Sequence, residues 1–187
     1  MKQHKQSTAL VILDMQNGIL PMLPDTTNLI KNTANAIAHA RSSSIPVIYV
    51  TVGFREGAPD VSPNNKSFSM AKEQYGKADM AEFTEVHAAL APITGDIQCT
   101  KRRVSAFTGS DIEVVLRSLD IKHLILAGVA TSGAVLSTVR EAAEKDYRLT
   151  VLSDCCIDRD DEIHRLLTTK VFPRQADVMT CDEWINI

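Results

Sequence analysis

Short apolar runs alternate with stretches whose apolar residues fall three or four positions apart, and the alternation persists along a chain of 187 residues. Nothing else in the sequence constrains the fold as much. Ala9–Leu13 is an unbroken apolar run, the pattern of a strand buried on both faces. From Asn28 to Arg41 the positions Leu29, Ile30, Thr33, Ala34, Ile37 and Ala38 keep helical spacing. Ser42–Ser44 breaks that spacing, and Ile45–Val50 reads as a second strand in which Pro46 is tolerable only near the start or on an edge. Ile97–Thr100 is a weak third strand, and Ser110 is placed to cap a helix carrying Ile112, Val115, Leu116 and Leu119 on one face. His123–Ala127 is a strand ended by Gly128, Ser132–Lys145 a helix, Arg148–Leu152 a strand, Asp160–Lys170 a helix and Ala176–Thr180 a last strand. The alternation predicts a mostly parallel sheet covered on both faces, and right-handed crossovers make it a three-layer α/β/α sandwich. The length suits a single domain over residues 1–187. Residues 53–80 interrupt the pattern with a long polar stretch containing Gly53, Gly57, Pro59, Pro63 and Gly76, and a loop of that size in a compact domain points to function.

Composition narrows the partners. The 20 basic and 23 acidic side chains give a formal charge of −3 with no Lys/Arg tract, so nucleic acid is not an expected partner. No apolar run approaches the roughly 18 residues of a membrane span. The start, Met1–Ser7, leads into a short apolar stretch ended by Asp14, which is not the pattern of a signal peptide. Cys99, Cys155, Cys156 and Cys181 are too sparse for a disulfide scaffold and lack zinc-binding spacing, so a reduced, cytoplasmic protein is expected. The histidines at 4, 39, 87, 123 and 164 are scattered, and neither a metal nor a cofactor is expected.

In open parallel sheets ligands bind beyond the carboxyl ends of the strands. Strand one ends in Asp14, followed by Met15, Gln16 and Asn17; strand three runs into Lys101, Arg102 and Arg103. Strand four ends in Gly128–Ala134, which opens a helix whose N-terminal N–H groups favour an anion or a developing oxyanion. Read singly, an Asp after a strand is most often a turn residue and a Lys is solvated. Together at three strand ends they mark a site that joins a carboxylate, an ammonium and an anion hole. The glycine-containing turn matches neither phosphate-binding motif, which counts against a flavodoxin-like nucleotide-binding module.

At these residues the chain resembles the isochorismatase-like hydrolases, the cysteine hydrolase superfamily. The resemblance rests on Leu13-Asp14-Met15-Gln16-Asn17, on Thr100-Lys101 with Ser105-Ala106-Phe107, and on Gly128-Val129-Ala130-Thr131 with Val135-Leu136-Ser137-Thr138, and runs from about residue 8 to about 180. It implies a Rossmann-like sheet of about six parallel strands, a homo-oligomer (dimer or tetramer) and a catalytic Asp, Lys and Cys. Asp14 matches the Asp and Lys101 the Lys. The resemblance also implies a cis peptide between Val129 and Ala130. The third position departs from the family: Ala134 stands where the pattern has its nucleophilic Cys, and a methyl group has no lone pair with which to attack.

The resemblance supplies one precedent for small-molecule chemistry without a thiol, since members of the isochorismatase type can lack the Cys and hydrolyse a vinyl ether: Asp14 would protonate carbon and water would capture an oxocarbenium ion. Asp14 could equally serve as a base that activates water against an amide or ester. Lys101 would hold a substrate carboxylate or balance charge. Val129, Ala130, Thr131, Ser132, Gly133 and Ala134 would line the substrate, with Gln16, Phe107, Phe54 and Arg55 setting specificity and Arg55 suited to a carboxylate. Thr131 and Ser132 read otherwise as helix caps, Cys155 and Cys156 as buried small hydrophobes, and Asp154 and Asp158 as solvated turn carboxylates. The rival to an enzyme is a binding or regulatory protein that kept the pocket and lost the chemistry.

Overall fold

The computed structural model describes residues 7–187; His4 and the other residues before Ser7 lie outside the described residues. Six parallel strands form one sheet: β1 (Thr8–Leu13), β2 (Val47–Val52), β3 (Ile97–Lys101), β4 (His123–Val129), β5 (Arg148–Ile157) and β6 (Asp177–Met179). Their order is β3-β2-β1-β4-β5-β6, so the chain winds outward in one direction from β1 and then, from β4, in the other. The reversal falls between β1 and β4, and it is beyond the carboxyl ends of the strands at such a point that open parallel sheets bind their ligands.

Strand residues divide cleanly between two cores, as their period of two requires. Ala9, Val11 and Leu13 of β1 join Ile48, Val50, Leu124, Leu126 and Val151 on one face, under α5 (Ile112–Ser118) and α6 (Leu136–Glu144). Leu10 and Ile12 join Val47, Tyr49, Ile125, Ala127 and Leu152 on the other, under α1 (Thr27–Ser42) and α8 (Cys181–Ile185). The expected α/β/α sandwich is the architecture found.

β2 is shifted two residues on from the expected span, β4 continues through Gly128 to Val129, and α-helix in the expected 160–170 stretch covers Asp161–Leu166; three further differences are larger. β5 runs on to Ile157, five residues past the expected end, because Ser153 and Asp154 interrupt the apolar run without breaking the extended backbone. The helix expected from Ser132 starts as an over-wide turn, Thr131–Val135, before α6. Residues 53–80, expected as one polar loop, carry α2 (Lys66–Ser69) and α3 (Lys72–Lys77) and run into α4 (Met80–Thr84), a segment of residues 53–84 in all. Val52, Phe54, Ala58 and Val61 pack there with Phe68, Tyr75, Met80 and Phe83 into a small core of their own. These apolar residues lie too far apart in sequence for any local period to reveal them.

Candidate active site

β1 ends where Asp14 takes a left-handed backbone, φ 53°, a conformation that Asp adopts more readily than most residues. The kink follows the last apolar residue, Leu13, and the Asp14 N–H is held by Val50 O of β2 at 2.9 Å. Lys101, the last residue of β3, lies two strands away, a separation of roughly 10 Å. Its extended side chain crosses above β2, and Nζ donates to Asp14 Oδ2 at 2.7 Å and to Val104 O at 2.7 Å. Asp14 is 6% exposed and Lys101 1%. An ion pair this deep is retained at a considerable desolvation cost.

The second oxygen of the carboxyl, Asp14 Oδ1, is buried with no partner among the described residues. Burial pushes the Asp14 pKa above the ordinary carboxylate value, and the Lys101 ammonium and the Val52 N–H pull against it without cancelling it. The carboxyl is therefore held closer to its protonated form than a surface Asp.

The third strand end brings the turn. Gly128 (φ 149°) approaches β1 so closely that an added Cβ would lie 2.3 Å from Leu13 O. The Val129–Ala130 peptide is cis. Thr131 Oγ1 shares a 2.8 Å hydrogen bond with His164 Nδ1, and the N–H groups of Gly133 and Val135 both donate to Ala130 O. Ala134 is buried within this turn. The Ser132 N–H donates to Asp158 Oδ2 at 2.6 Å, so one donor of the expected anion hole already holds a carboxylate of the chain itself.

Asp158 and His164 are the residues that sequence reasoning missed. Asp158, expected as a solvated turn residue, is buried and takes a second bond from the Arg159 N–H. It stands just beyond β5 as Asp14 stands just beyond β1, so the strand-end rule would have found it had β5 been given its full length. His164 comes from α7 (Asp161–Leu166), and burial lowers its pKa against the pull of Asp158 and Asp161. No sequence signal marks it.

The remaining expected residues divide. Gln16 is fully buried and bonded to main chain on both sides: Nε2 donates to Val52 O (3.0 Å) and Phe83 O (2.9 Å), and Oε1 accepts from the Val52 N–H (2.8 Å). Phe54 is stacked on Tyr75, ring centroids 4.6 Å apart, inside the small core of residues 53–84. The Arg55 side chain is 65% exposed and paired with Asp60 at 3.0 Å. Phe107 packs against Tyr147 and under Lys145, which follows the C-terminal end of α6, whereas the turn precedes its start. Cys155 and Cys156 are buried, and burial pushes the Cys156 thiol up to about 12 and that of Cys155 higher still, so both stay protonated. Arg103, half-buried, donates to Arg102 O and makes no ion pair among the described residues.

Residues 8–183 match the model of the Isochorismatase domain. The chain is 31% identical over 181 residues to the isochorismatase family protein YwoC of Bacillus subtilis, covering 97% of this chain and 94% of that one. It is 30% identical over 174 residues to the ureidoacrylate amidohydrolase RutB of Variovorax paradoxus, covering 81% and 69%. The N-carbamoylsarcosine amidase of Thermoplasma acidophilum superposes with a TM-score of 0.77 at 25% identity, over 94% of this chain and 96% of that one.

Proposed function

Because the chain belongs to the isochorismatase family of hydrolases, we propose that it hydrolyses a small molecule without a cysteine nucleophile at position 134. Asp14 is the proton-transferring group and Lys101 its charge partner. One observation carries this reading: a buried carboxyl bound to a buried ammonium through one oxygen, with the other oxygen left without a partner among the described residues. A substrate atom that meets Asp14 Oδ1 satisfies it, and the nearly sealed surroundings strengthen that interaction.

The raised pKa of Asp14 favours the acid role. Asp14 gives its proton to the terminal carbon of an enol ether. Water adds to the resulting oxocarbenium carbon and returns a proton to Asp14, and the hemiketal collapses to a carbonyl compound and an alcohol. Lys101 stabilises the carboxylate left behind. The names of the amidohydrolase relatives support a second chemistry, in which Asp14 takes a proton from water, the hydroxide attacks an amide carbon, and the C–N bond breaks as Asp14 returns the proton to the departing nitrogen. A carboxylated substrate needs a cation other than Lys101, whose Nζ is already engaged by Asp14 Oδ2 and Val104 O. Arg103, beside the Lys101 loop and without an acidic partner among the described residues, suits that better than Arg55, which Asp60 already holds. The reading includes a homo-oligomer in the cytoplasm; all four cysteines are free thiols, in keeping with a reducing compartment, and sedimentation velocity checks the oligomer.

The experiment is a turnover screen of vinyl ethers against amides and esters, with Asp14→Asn and Ala134→Cys beside the natural chain. The expected result is vinyl-ether turnover lost by at least 100-fold in Asp14→Asn, the scale of a general acid. No turnover in the natural chain, with a small molecule retained tightly through purification, would replace the enzyme by a binding protein. Amide hydrolysis seen only in Ala134→Cys would show that the turn can seat a nucleophile the natural chain does not use.

A further inference from the structure

The Asp14–Lys101 pair is closed off from solvent, and the segment leaving the adjoining strand end is the one with its own small core. That segment starts at Gly53, directly after β2, and returns to the end of β1 at Val86, which pairs with Gln16 in an isolated antiparallel bridge. Its return is fastened by main-chain bonds: Asn17 N–H to Glu85 O (2.8 Å), Gly18 N–H to Phe83 O (3.0 Å) and His87 N–H to Met15 O (3.0 Å). Its departure is fastened differently. The Gln16 side-chain amide grips both the N–H and the C=O of Val52 and, with its second N–H, Phe83 O at the far end. One fully buried amide thus joins the two roots of a segment of about thirty residues, with both of its donor hydrogens engaged.

We infer that Gln16 is a positioning residue rather than a substrate ligand: it clasps the two roots of the 53–84 segment together and so fixes Val52 beside the Asp14 carboxyl. The inference rests on Asp14 being the working carboxyl. Three facts converge on it. The amide has no free donor with which to bind a substrate while the clasp is closed. Gln16 lies two residues beyond Asp14, at the point where the kinked end of β1 meets the returning chain. The Val52 main chain it holds is also among the groups the Asp14 carboxyl feels. A buried amide with matched partners resists opening, because every group it releases would be left unpaired. Loosening it frees the roots of the segment and admits water to the carboxyl.

The test needs no substrate, so its failure is distinct from failure of the hydrolase reading. Gln16→Met keeps the length of the side chain and removes all three bonds; Gln16→Glu keeps the acceptor for the Val52 N–H and removes both donors. Hydrogen exchange is followed by mass spectrometry, and the titration of Asp14 by carbon-13 NMR of its carboxyl. In Gln16→Met, amides of residues 53–84 are expected to exchange at least tenfold faster while those of β4 and β5 keep their rates. The Asp14 pKa is expected to fall by half a unit or more, since relief of burial, the largest influence on it, outweighs any loss of the Val52 N–H, the smallest. In Gln16→Glu the acceleration is expected to be larger near Phe83 than near Val52. Should Gln16→Met fail to fold, Gln16→Leu carries the same two measurements, since it too removes all three bonds and adds no charge beside Asp14. Exchange that rises evenly over the whole sheet, exchange that does not change, or an Asp14 titration left in place would each overturn the inference.

Discussion

Asp14 lies under two opposing pulls, and the balance between them sets the sign of its pH dependence. Burial favours the neutral carboxyl, the Lys101 ammonium favours the carboxylate, and burial prevails. An acid works only while protonated, so kcat/KM for a vinyl ether should fall as pH rises through the Asp14 pKa, with its midpoint above the ordinary carboxylate value of 3.8. A base works only while ionised, so an amidase limb would rise through the same midpoint. A pH–rate profile therefore separates the two chemistries, and a falling limb that persists in Asp14→Asn would remove Asp14 from either role. Asp14 and Lys101 were legible in the sequence because a charged residue directly after an apolar run has one place to be in a parallel sheet. Gln16 was legible as the residue two past Asp14 but not in what it binds, since Val52 and Phe83 reach it only through the fold, as Tyr75 reaches Phe54. His164 was illegible for the same reason: its bond to Thr131 spans 33 positions.

At the scale of elements, the meeting of β1 and β4 admits no side chain at Gly128. An added Cβ would lie 2.3 Å from Leu13 O and 2.5 Å from Leu13 Cβ, and the backbone there holds φ 149°. Both obstacles belong to the neighbouring strand, so relief requires the two strands to part at the point where Asp14 begins. Gly128→Ala is expected to cost about 3 kcal/mol or more, at the upper end for overpacking. Urea unfolding measures it, and a loss under roughly 1 kcal/mol would show that the strands part freely. The elements themselves were largely legible, since buried strands and amphipathic helices declare themselves by period. α8 was not: five residues are too few for a period to show, and a capping box of Thr180 with Glu183 together with packing against α1 holds them. Residues 53–80 were read as functional from their length alone, and the three short helices found there and up to Thr84 depend on aromatic contacts between distant positions.

Across the whole molecule, the two ends of the sheet have different work. The carboxyl ends carry the Asp14–Lys101 pair and the turn; the opposite edge holds His123 between Thr8 and Thr150, at 3.4 and 2.9 Å, beside a cavity of about 330 Å³ also lined by His39, Arg148 and Trp184. Burial lowers the His123 pKa from 6.5 to about 4, with Arg148 acting in the same sense. The folded value lies below the unfolded one, so the stability linked to the neutral ring is complete above pH 6.5 and is lost as pH falls through about 4. After allowance for partial solvent screening this amounts to on the order of 2 kcal/mol. Thermal unfolding of the natural chain and of His123→Gln at pH 7 and pH 4 should show the variant losing less on acidification; equal losses would mean that His123 is not the group responsible. The closed roots of the 53–84 segment bear on how such a fold diversifies. With Val52 and Phe83 already joined through Gln16, the entropic cost of closing the loop depends only weakly on what lies between them, about 0.6 kcal/mol per doubling of length. The segment is in effect a cassette: an insert of another length grafted onto the same two roots is expected to leave the six-stranded sheet unchanged.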